Sequence, residues 1–571
     1  MSIQHKRSLN ASLLETSALL PLALSASGAT HEVLNTPAPL QGYNLFDSDI
    51  ALHEAVVREG AGHAVEKLSA HGAWLGTIEA LALGDDANAN RPRFESHDRY
   101  GHRIDSVTYH PAYHALMSRA MAEGLHSAPW QNPGKGAHVA RAAGFYLQSQ
   151  IESGHGCPIS MSFASFAPLA VAGDWTKPWL RRLESRNYDA RNLPLEQKNG
   201  ATIGMGMTEK QGGSDVRANT TFARPLAPSG PGEAYELTGH KFFLSAPMCD
   251  AFLVLAQTEA GPSCFLVPRW RDDGTKNPLE LVRLKDKMGN ASNASAEVEL
   301  RGAHGRLVGR EGRGIATILD MVALTRFDCM VGSSAIMRMA VVQAIDHSRQ
   351  RRAFGKLLSD QPLMQNVLAD LALESEAALV LTMRLARALD QRDQPAERHL
   401  LRLGAALGKF ALCKRVAGVA AEAMECIGGS GVMENCIMPR LYREAPINAI
   451  WEGSGNIQCL DVLRTLQKSP ETIDVFRSEL RLAKGGYAAL DQHNARLEDD
   501  LADLAGAEPQ ARCLVEAMSV ALQASLLVQH APHDVADAFC KARLMGAGNA
   551  LYGTLPKGCD VKVLINRAAA R

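Results

Sequence analysis

Five short stretches of this 571-residue chain carry residue types whose spacing could do chemistry. The one with a proton-abstracting group is Ile447-Asn448-Ala449-Ile450-Trp451-Glu452-Gly453-Ser454-Gly455-Asn456-Ile457-Gln458, where a single carboxylate stands between a large aromatic and a Gly-Ser-Gly turn. A Glu beside Trp451 is partly desolvated, which disfavours its charged form and brings its pKa toward neutrality, as a general base requires. The same residues also read as a helix-terminal carboxylate followed by glycine breakers.

The other four stretches could hold a ligand. Gly204-Met205-Gly206-Met207-Thr208-Glu209-Lys210-Gln211-Gly212-Gly213-Ser214-Asp215 combines small residues with two hydroxyls, so backbone N–H groups can approach a ligand while Thr208 and Ser214 donate hydrogen bonds. It also reads as a polar surface loop, and it is neither a dinucleotide fingerprint nor a P-loop. His240-Lys241-Phe242-Phe243-Leu244-Ser245-Ala246-Pro247 offers rings for stacking and a hydroxyl for heteroatoms, or simply two buried phenylalanines in a strand. Ser348-Arg349-Gln350-Arg351-Arg352-Ala353-Phe354-Gly355-Lys356 suits a pyrophosphate through bidentate guanidinium donors, or is a solvated helix end. Ile427-Gly428-Gly429-Ser430-Gly431-Val432 caps a helix, or lets backbone approach a phosphate or ribose.

The elements that must position these stretches alternate along the chain. From about 47 to 150 apolar residues recur at three and four spacing, a helical region. From about 200 to 302 short runs such as DAFLVLAQT, SCFLVP and AEVEL predict a small β-domain. The helical period returns over 314–389 and 399–427 in long Ala- and Leu-rich segments that predict a bundle. After a break at Gln467-Lys468-Ser469-Pro470 a last helical segment runs to Arg571. The chain is thus α+β and multi-domain, with a leader at 1–35, helical domains at 36–200, 304–466 and 467–571, and a β-domain at 201–303. The leader reads as disordered rather than exported, since Glu15 and polar residues interrupt its apolar run.

Composition narrows the function. Hydrophobic residues make up 46% and charged residues 21%, with a net charge of -1, so no global feature points to nucleic acid or a membrane. The 11 cysteines form no C-x-x-C pair and read as reduced thiols of a cytoplasmic protein without a metal site.

Taken in order, MTEKQGGSD, KFFLS, RRAFGK, IGGSGV and YREAPINAIWEGSGNIQ resemble the flavin loop, stacking strand, arginine motif, diglycine turn and base segment of the acyl-CoA dehydrogenase family. LKDKMGNASNAS and LTRFDC bring the resemblance closer to that family's branch of adaptive-response proteins of alkylation protection. The resemblance implies the family's fold, bound FAD and a homotetramer in which neighbouring subunits help enclose each flavin. It places Met205, Met207, Thr208, Gly213 and Ser214 along the flavin and Phe243, Leu244 and Ser245 against its ring system. It places Arg351, Phe354, Gly428 and Gly429 on the FAD of a neighbour, and Ile450, Trp451, Ser454, Gly455 and Asn456 around the cofactor beside the base. Glu452 takes the catalytic position, removing the α-proton of an acyl thioester as a hydride leaves the β-carbon for flavin N5. Phe243 stands where the family commonly has Trp, Ala353 where it has a polar residue, and Glu425 where it usually has Gln.

The same branch implies an alternative in which the protein protects DNA during the response to alkylation damage and keeps FAD largely for structure. Double-stranded DNA would then bind through 467–571. That segment carries 12 Lys plus Arg against 13 Asp plus Glu, which is not a basic domain. Its later part, with Lys541, Arg543, Lys557, Lys562 and Arg567, is locally positive.

Overall fold

The structure, a computed structural model, describes residues 30–226, 228–545 and 551–570, so the expected leader lies outside them up to residue 29. The N-terminal part is helical for the reasons its sequence suggests. The helix Pro111–Glu123 starts with Pro in its first turn, takes a cap from the His110 side chain, and stops at Gly124, whose φ of 76° suits a left-handed C-cap. Two helices of this part bear on the site: α1 (Ala137–Ile151), buried along most of its length, and α2 (Gly156–Ala170).

The helical expectation for 47–150 needs one correction. Strands β1 (Arg93–His97) and β2 (Arg103–Thr108) form an antiparallel hairpin inside it, with Phe94 opposite Val107. β1 alternates exposed with half-buried positions and β2 takes half-buried and buried positions by turns, and Gly101 with a φ of 83° lies in their connection. Period-two alternation here overrides the helical spacing on either side.

The β-domain is a seven-stranded sheet of β3 (Ile203–Gly206), β4 (Phe222–Pro225), β5 (Ala234–Ser245), β6 (Ala251–Thr258), β7 (Gly261–Pro268), β8 (Leu279–Leu284) and β9 (Ser295–Val308). The order β3-β6-β4-β5-β9-β7 closes through an additional β6–β7 pairing, so five strands form a ring while β3 and β8 attach to β6 and β9. Closure removes most free edges from a domain rich in β-branched residues. Pro268 and Gly261 bound β7, and β9 runs on to Val308, past the expected limit near 303.

The third part packs α3 (Gly314–Gln350), α4 (Pro362–Asp390) and α5 (Pro395–Ile427) side by side. A two-strand hairpin, β10 (Arg352–Ala353) with β11 (Lys356–Leu357), turns the chain from α3 to α4, and α6 (Gly455–Lys468) lies on α5. A buried ion pair ties the first helical part to the third. Arg141, 1% exposed, grips Asp328, 3% exposed, through both carboxylate oxygens and lies over Phe145 and Phe163.

The C-terminal extension contains α7 (Ala511–His530) and α8 (His533–Leu544) and is fastened to the bundle by charge. Arg384, buried in α4, bonds Glu479 at 2.6 and 2.9 Å and Glu397 at 2.7 and 3.1 Å. Ser519 also donates to the Leu407 carbonyl at 3.3 Å. Among the described residues the stretch Glu508–His530 is long and apolar enough to cross a bilayer, yet 67% of its apolar window is buried against the rest of the chain, as in a core helix.

Candidate active site

Glu452 sits in a turn between the short helix Ile447–Ile450 and α6, with a φ of 59°, followed by Gly453 at 99°. A left-handed backbone at a residue with a long side chain costs on the order of 1–2 kcal/mol, so its surroundings must hold it there. Lys409, buried in α5, donates to the carbonyls of Trp451 and Gly453, both at 2.7 Å. Arg326 Nε donates to the Glu452 carbonyl at 2.9 Å, and Gln458 to that of Gly453 at 3.0 Å. Arg326 is itself fixed by Asp461 at 2.9 Å, which Arg402 also holds. A Cβ at Gly453 would come within 2.7 Å of Gln458 Nε2, which explains the glycine there.

The carboxylate meets a different set of groups from the backbone that carries it. Thr325 Oγ1 donates to Oε2 at 2.9 Å, and Oε1 has no hydrogen-bond partner among the described residues. Burial pushes the Glu452 pKa above the ordinary carboxylate value, while the Thr325 hydrogen bond and the charges of Arg326 and Lys409 pull it back. Thr325 therefore favours the ionised base. Replacing it by Val is expected to move the low-pH limb of any Glu452-dependent rate to higher pH, with the largest loss on the acid side and little at alkaline pH. A stopped-flow pH profile of wild type against Thr325→Val checks this, and superimposable acid limbs would remove Thr325 from that role.

The resemblance assigned Glu452 from its motif, but neither Thr325 nor Arg326 drew attention as part of its support. Both lie in LTRFDC on α3. Lys409 also escaped notice, although a lysine inside LGAALGKFAL, an otherwise apolar run, is a readable sign of a buried charge with a fixed task.

The expected flavin face is brought to the same region. Phe242 N–H donates to the Thr208 carbonyl at 2.8 Å, joining β5 to the loop after β3. Beneath that loop Glu209 and Lys241, both fully buried, pair at 2.7 Å, so two members of the motifs are structural. Phe243 is 42% exposed at the end of β5, and Ser245 shares its side of the strand. Leu244 requires a correction, because its side chain is buried: a register shift in β5 between Lys241 and Leu244 sets both side chains against Gly206 in the core. Ser245 Oγ is 3.0 Å from Ser295 Oγ, which accepts from Lys287 at 3.0 Å. Cys157, at the start of α2, lies near Ser245 and Asn293 and feels the charge of Glu452, and burial pushes its thiol up to about 12.

The remaining expected residues divide by position. Met205, Met207 and Thr208 are half-buried and Gly213 and Ser214 exposed along the loop; Ile450, Ser454 and Asn456 are exposed around the base, with Trp451 half-buried. Trp451 Nε1 donates to Asn448 Oδ1 at 2.9 Å. Gly455 faces α5 instead, where a Cβ would lie 2.5 Å from Lys414 Cε. Arg351, Phe354, Gly428 and Gly429 are remote. Arg351 follows the last turn of α3, 25 residues beyond Arg326, hence about 37 Å away at 1.5 Å per residue. Gly428 lies 19 residues beyond Lys409 at the end of α5, about 28 Å off by the same rise. Phe354 is 98% exposed with a φ of 53°, and a Cβ on Gly428 or Gly429 would meet nothing within 4 Å. Arg351 hydrogen-bonds the Asn35 carbonyl, and Asn35 also brackets the Arg352 backbone at 2.7 and 2.9 Å.

These residues fit an isoalloxazine system. An exposed ring and a hydroxyl share the rim of β5, a polar loop borders them, and an enclosed carboxylate lies close enough for its charge to act on Cys157 beside Ser245. A helical, β and helical chain arranged about such a site is a flavin-dependent dehydrogenase in class.

Comparison with known proteins narrows this. Residues 35–190 match the adaptive response protein AidB N-terminal domain, 204–303 the acyl-CoA dehydrogenase middle domain and 312–467 the acyl-CoA dehydrogenase C-terminal domain. AidB of Escherichia coli (strain K12) is 47% identical over 521 residues, covering 90% of this chain and 94% of that protein. Acyl-CoA dehydrogenase family member 11 of Caenorhabditis elegans is 30% identical over 433 residues, covering 73% of this chain and 69% of its own. The crystal structure of Caenorhabditis elegans ACDH-11 in complex with C11-CoA superposes with a TM-score of 0.80 at 26% identity, covering 96% of this chain and 94% of that one. Bd2924 in its apo form gives 0.79 at 28% identity, covering 87% and 99%. The chain belongs to the acyl-CoA dehydrogenase family of FAD-dependent oxidoreductases and is of the AidB type.

The basic residues of the extension have other duties. Lys541 pairs with Asp537 at 2.7 Å, Arg543 with Asp370 and Glu374 of α4, and Arg567 with Glu376 and Glu54. Three of the five cations that made the segment locally positive are thus neutralised within the chain.

Proposed function

We propose that this protein dehydrogenates an acyl thioester across its α,β bond, with Glu452 taking the α-proton. The observation that carries this is the arrangement at Glu452: a backbone clamped by Lys409, Arg326 and Gln458, one carboxylate oxygen held by Thr325, and the other without a partner among the described residues. The free oxygen can accept a proton without breaking the bond that orients the group. FAD, when bound, supplies the hydride acceptor. Thr208, Ser214, Phe243 and Ser245 would hold its ring portion, with Met205, Met207 and Gly213 lining the loop and Ile450, Trp451, Ser454 and Asn456 closing the base side. The C11-CoA carried by the Caenorhabditis elegans structure supports an acyl-CoA as substrate class.

Arg351, Phe354, Gly428 and Gly429 lie too far from Glu452 to serve the same flavin, so they would complete the site of another copy, as in a homotetramer. All eleven cysteines are free, which supports a reducing, cytoplasmic setting. The test is spectroscopic: purified protein should show an oxidised-flavin spectrum, or gain one with FAD, and some member of an acyl-CoA panel should bleach it without oxygen. Failure to hold FAD, or no bleaching by any member, removes the proposal.

Double-stranded DNA is the partner least supported by the charges, because the near-neutral extension spends Lys541, Arg543 and Arg567 internally. A mobility assay over a salt series is expected to show no retention at physiological ionic strength. Retention falling steeply with added salt would reverse that expectation.

A further inference from the structure

A second cavity of about 210 Å³ lies away from the Glu452 carboxylate, between α5 of the bundle and α7 and α8 of the extension. Its walls are apolar where Phe410, Val520 and Phe539 meet. Its accessible cations are Lys414 and Arg512, both exposed, and neither makes an ion pair or hydrogen bond among the described residues. The deeper acid, Glu374, is neutralised by Arg415 and Arg543, whereas Glu516 is the one carboxylate near the surface. Gln523, 3% exposed, also lines the cavity, and its side-chain N–H₂ has no hydrogen-bond partner among the described residues. A buried amide without a partner among the described residues is costly for packing alone, while Lys414 and Arg512, each 5.8 Å from the centre of the Phe410 ring, stand free of ion pairs among those residues at the mouth of the hollow.

We propose that this cavity binds a small amphipathic carboxylate. The head group is held by charge-assisted hydrogen bonds from Lys414 and Arg512, and the body lies against Phe410, Val520 and Phe539. An apolar cavity of about 150 Å³ holds benzene, so one of about 210 Å³ suits a body of about six carbons. The site adjoins the back of the base segment: a Cβ on Gly455 would lie 2.5 Å from Lys414 Cε and 3.5 Å from Phe410 Cδ2, and Lys409, next to Phe410, holds the carbonyls on both sides of Glu452. An occupant therefore touches the helix that positions the base.

The test is calorimetric titration of the full-length, flavin-loaded protein with sodium hexanoate, acetate, dodecanoate and hexanamide. Hexanoate should bind at least tenfold more tightly than each of the other three. Lys414→Gln with Arg512→Gln, both on the surface, should weaken hexanoate at least tenfold without lowering the melting temperature. Val520→Phe should exclude it by filling the hollow, and Glu452→Gln should leave it unchanged. Absence of hexanoate binding, affinity rising steadily with chain length, or equal affinity in the double variant or in a folded Val520→Phe protein would overturn the assignment. Loss of binding in Glu452→Gln would place the carboxylate in the catalytic cavity instead. Because the readout is binding, it can fail or succeed whatever the outcome for dehydrogenation.

Discussion

Glu452→Gln is expected to slow anaerobic flavin reduction by an active acyl-CoA by about 10²- to 10⁴-fold, the range that general-base catalysis contributes. The amide keeps the shape of the carboxylate, and its oxygen can still accept the Thr325 hydrogen bond, so the clamps from Lys409, Arg326 and Gln458 have no reason to move. What is lost is the ability to take a proton. The oxidised-flavin spectrum should persist, which separates a lost base from a lost cofactor site. Where wild type is active, reduction should also rise with pH through the upward-shifted pKa of Glu452, because only the ionised carboxylate accepts the proton. The Gln variant should lack that dependence. Equal bleaching by both proteins would show that another group is the base. Other groups nearby also titrate near neutrality: Glu444 is pushed up to about 7 by burial and by Glu152, and burial brings Lys287 down to about 8. The comparison with the Gln variant, rather than the wild-type profile alone, is therefore what assigns the limb.

Asp328→Ala is expected to have the largest effect on stability. Arg141 would be left charged and 1% exposed between Phe145 and Phe163, with only the Leu125 carbonyl as a hydrogen-bond acceptor among the described residues. Removing one partner of such a pair costs about 3–5 kcal/mol, because the surviving charge stays desolvated. The urea midpoint of the first unfolding transition, followed by circular dichroism, should fall well below that of wild type. Converting both partners together, as in Arg141→Met with Asp328→Leu, should recover most of the loss, since no charge is then stranded. A single variant that unfolds like wild type would show that water already reaches Arg141.

The alternation of helical and β segments was legible because their periods differ and each segment is long. The hairpin at 93–108 was not, since each strand has only five or six residues and helical spacing flanks it on both sides. At the site, the motif order marked Glu452, but its support comes from Thr325, Arg326 and Lys409, which lie far away in sequence on two other helices. No local pattern around Glu452 encodes those partners. Leu244 shows the converse: a motif names neighbouring residues together, while the register shift after Lys241 turns the Leu244 side chain into the core beside that lysine. The basic residues of the extension could be counted from sequence, but their neutralisation by Asp370, Glu374 and Glu376 depends on which helix the extension lies against.

The 37 residues of α3 place Arg326 about a third of the way along and Arg351 just beyond the far end, farther apart than one cofactor's reactive ring can bridge. On the proposed reading each FAD is then held by two chains at once, and loading and assembly become linked equilibria. Dilution that separates the chains would release FAD, and added FAD would draw the chains back together. The amount of usable enzyme would follow the concentration of its own polypeptide, so that the length of a single helix makes the flavin a sensor of how much of the protein is present.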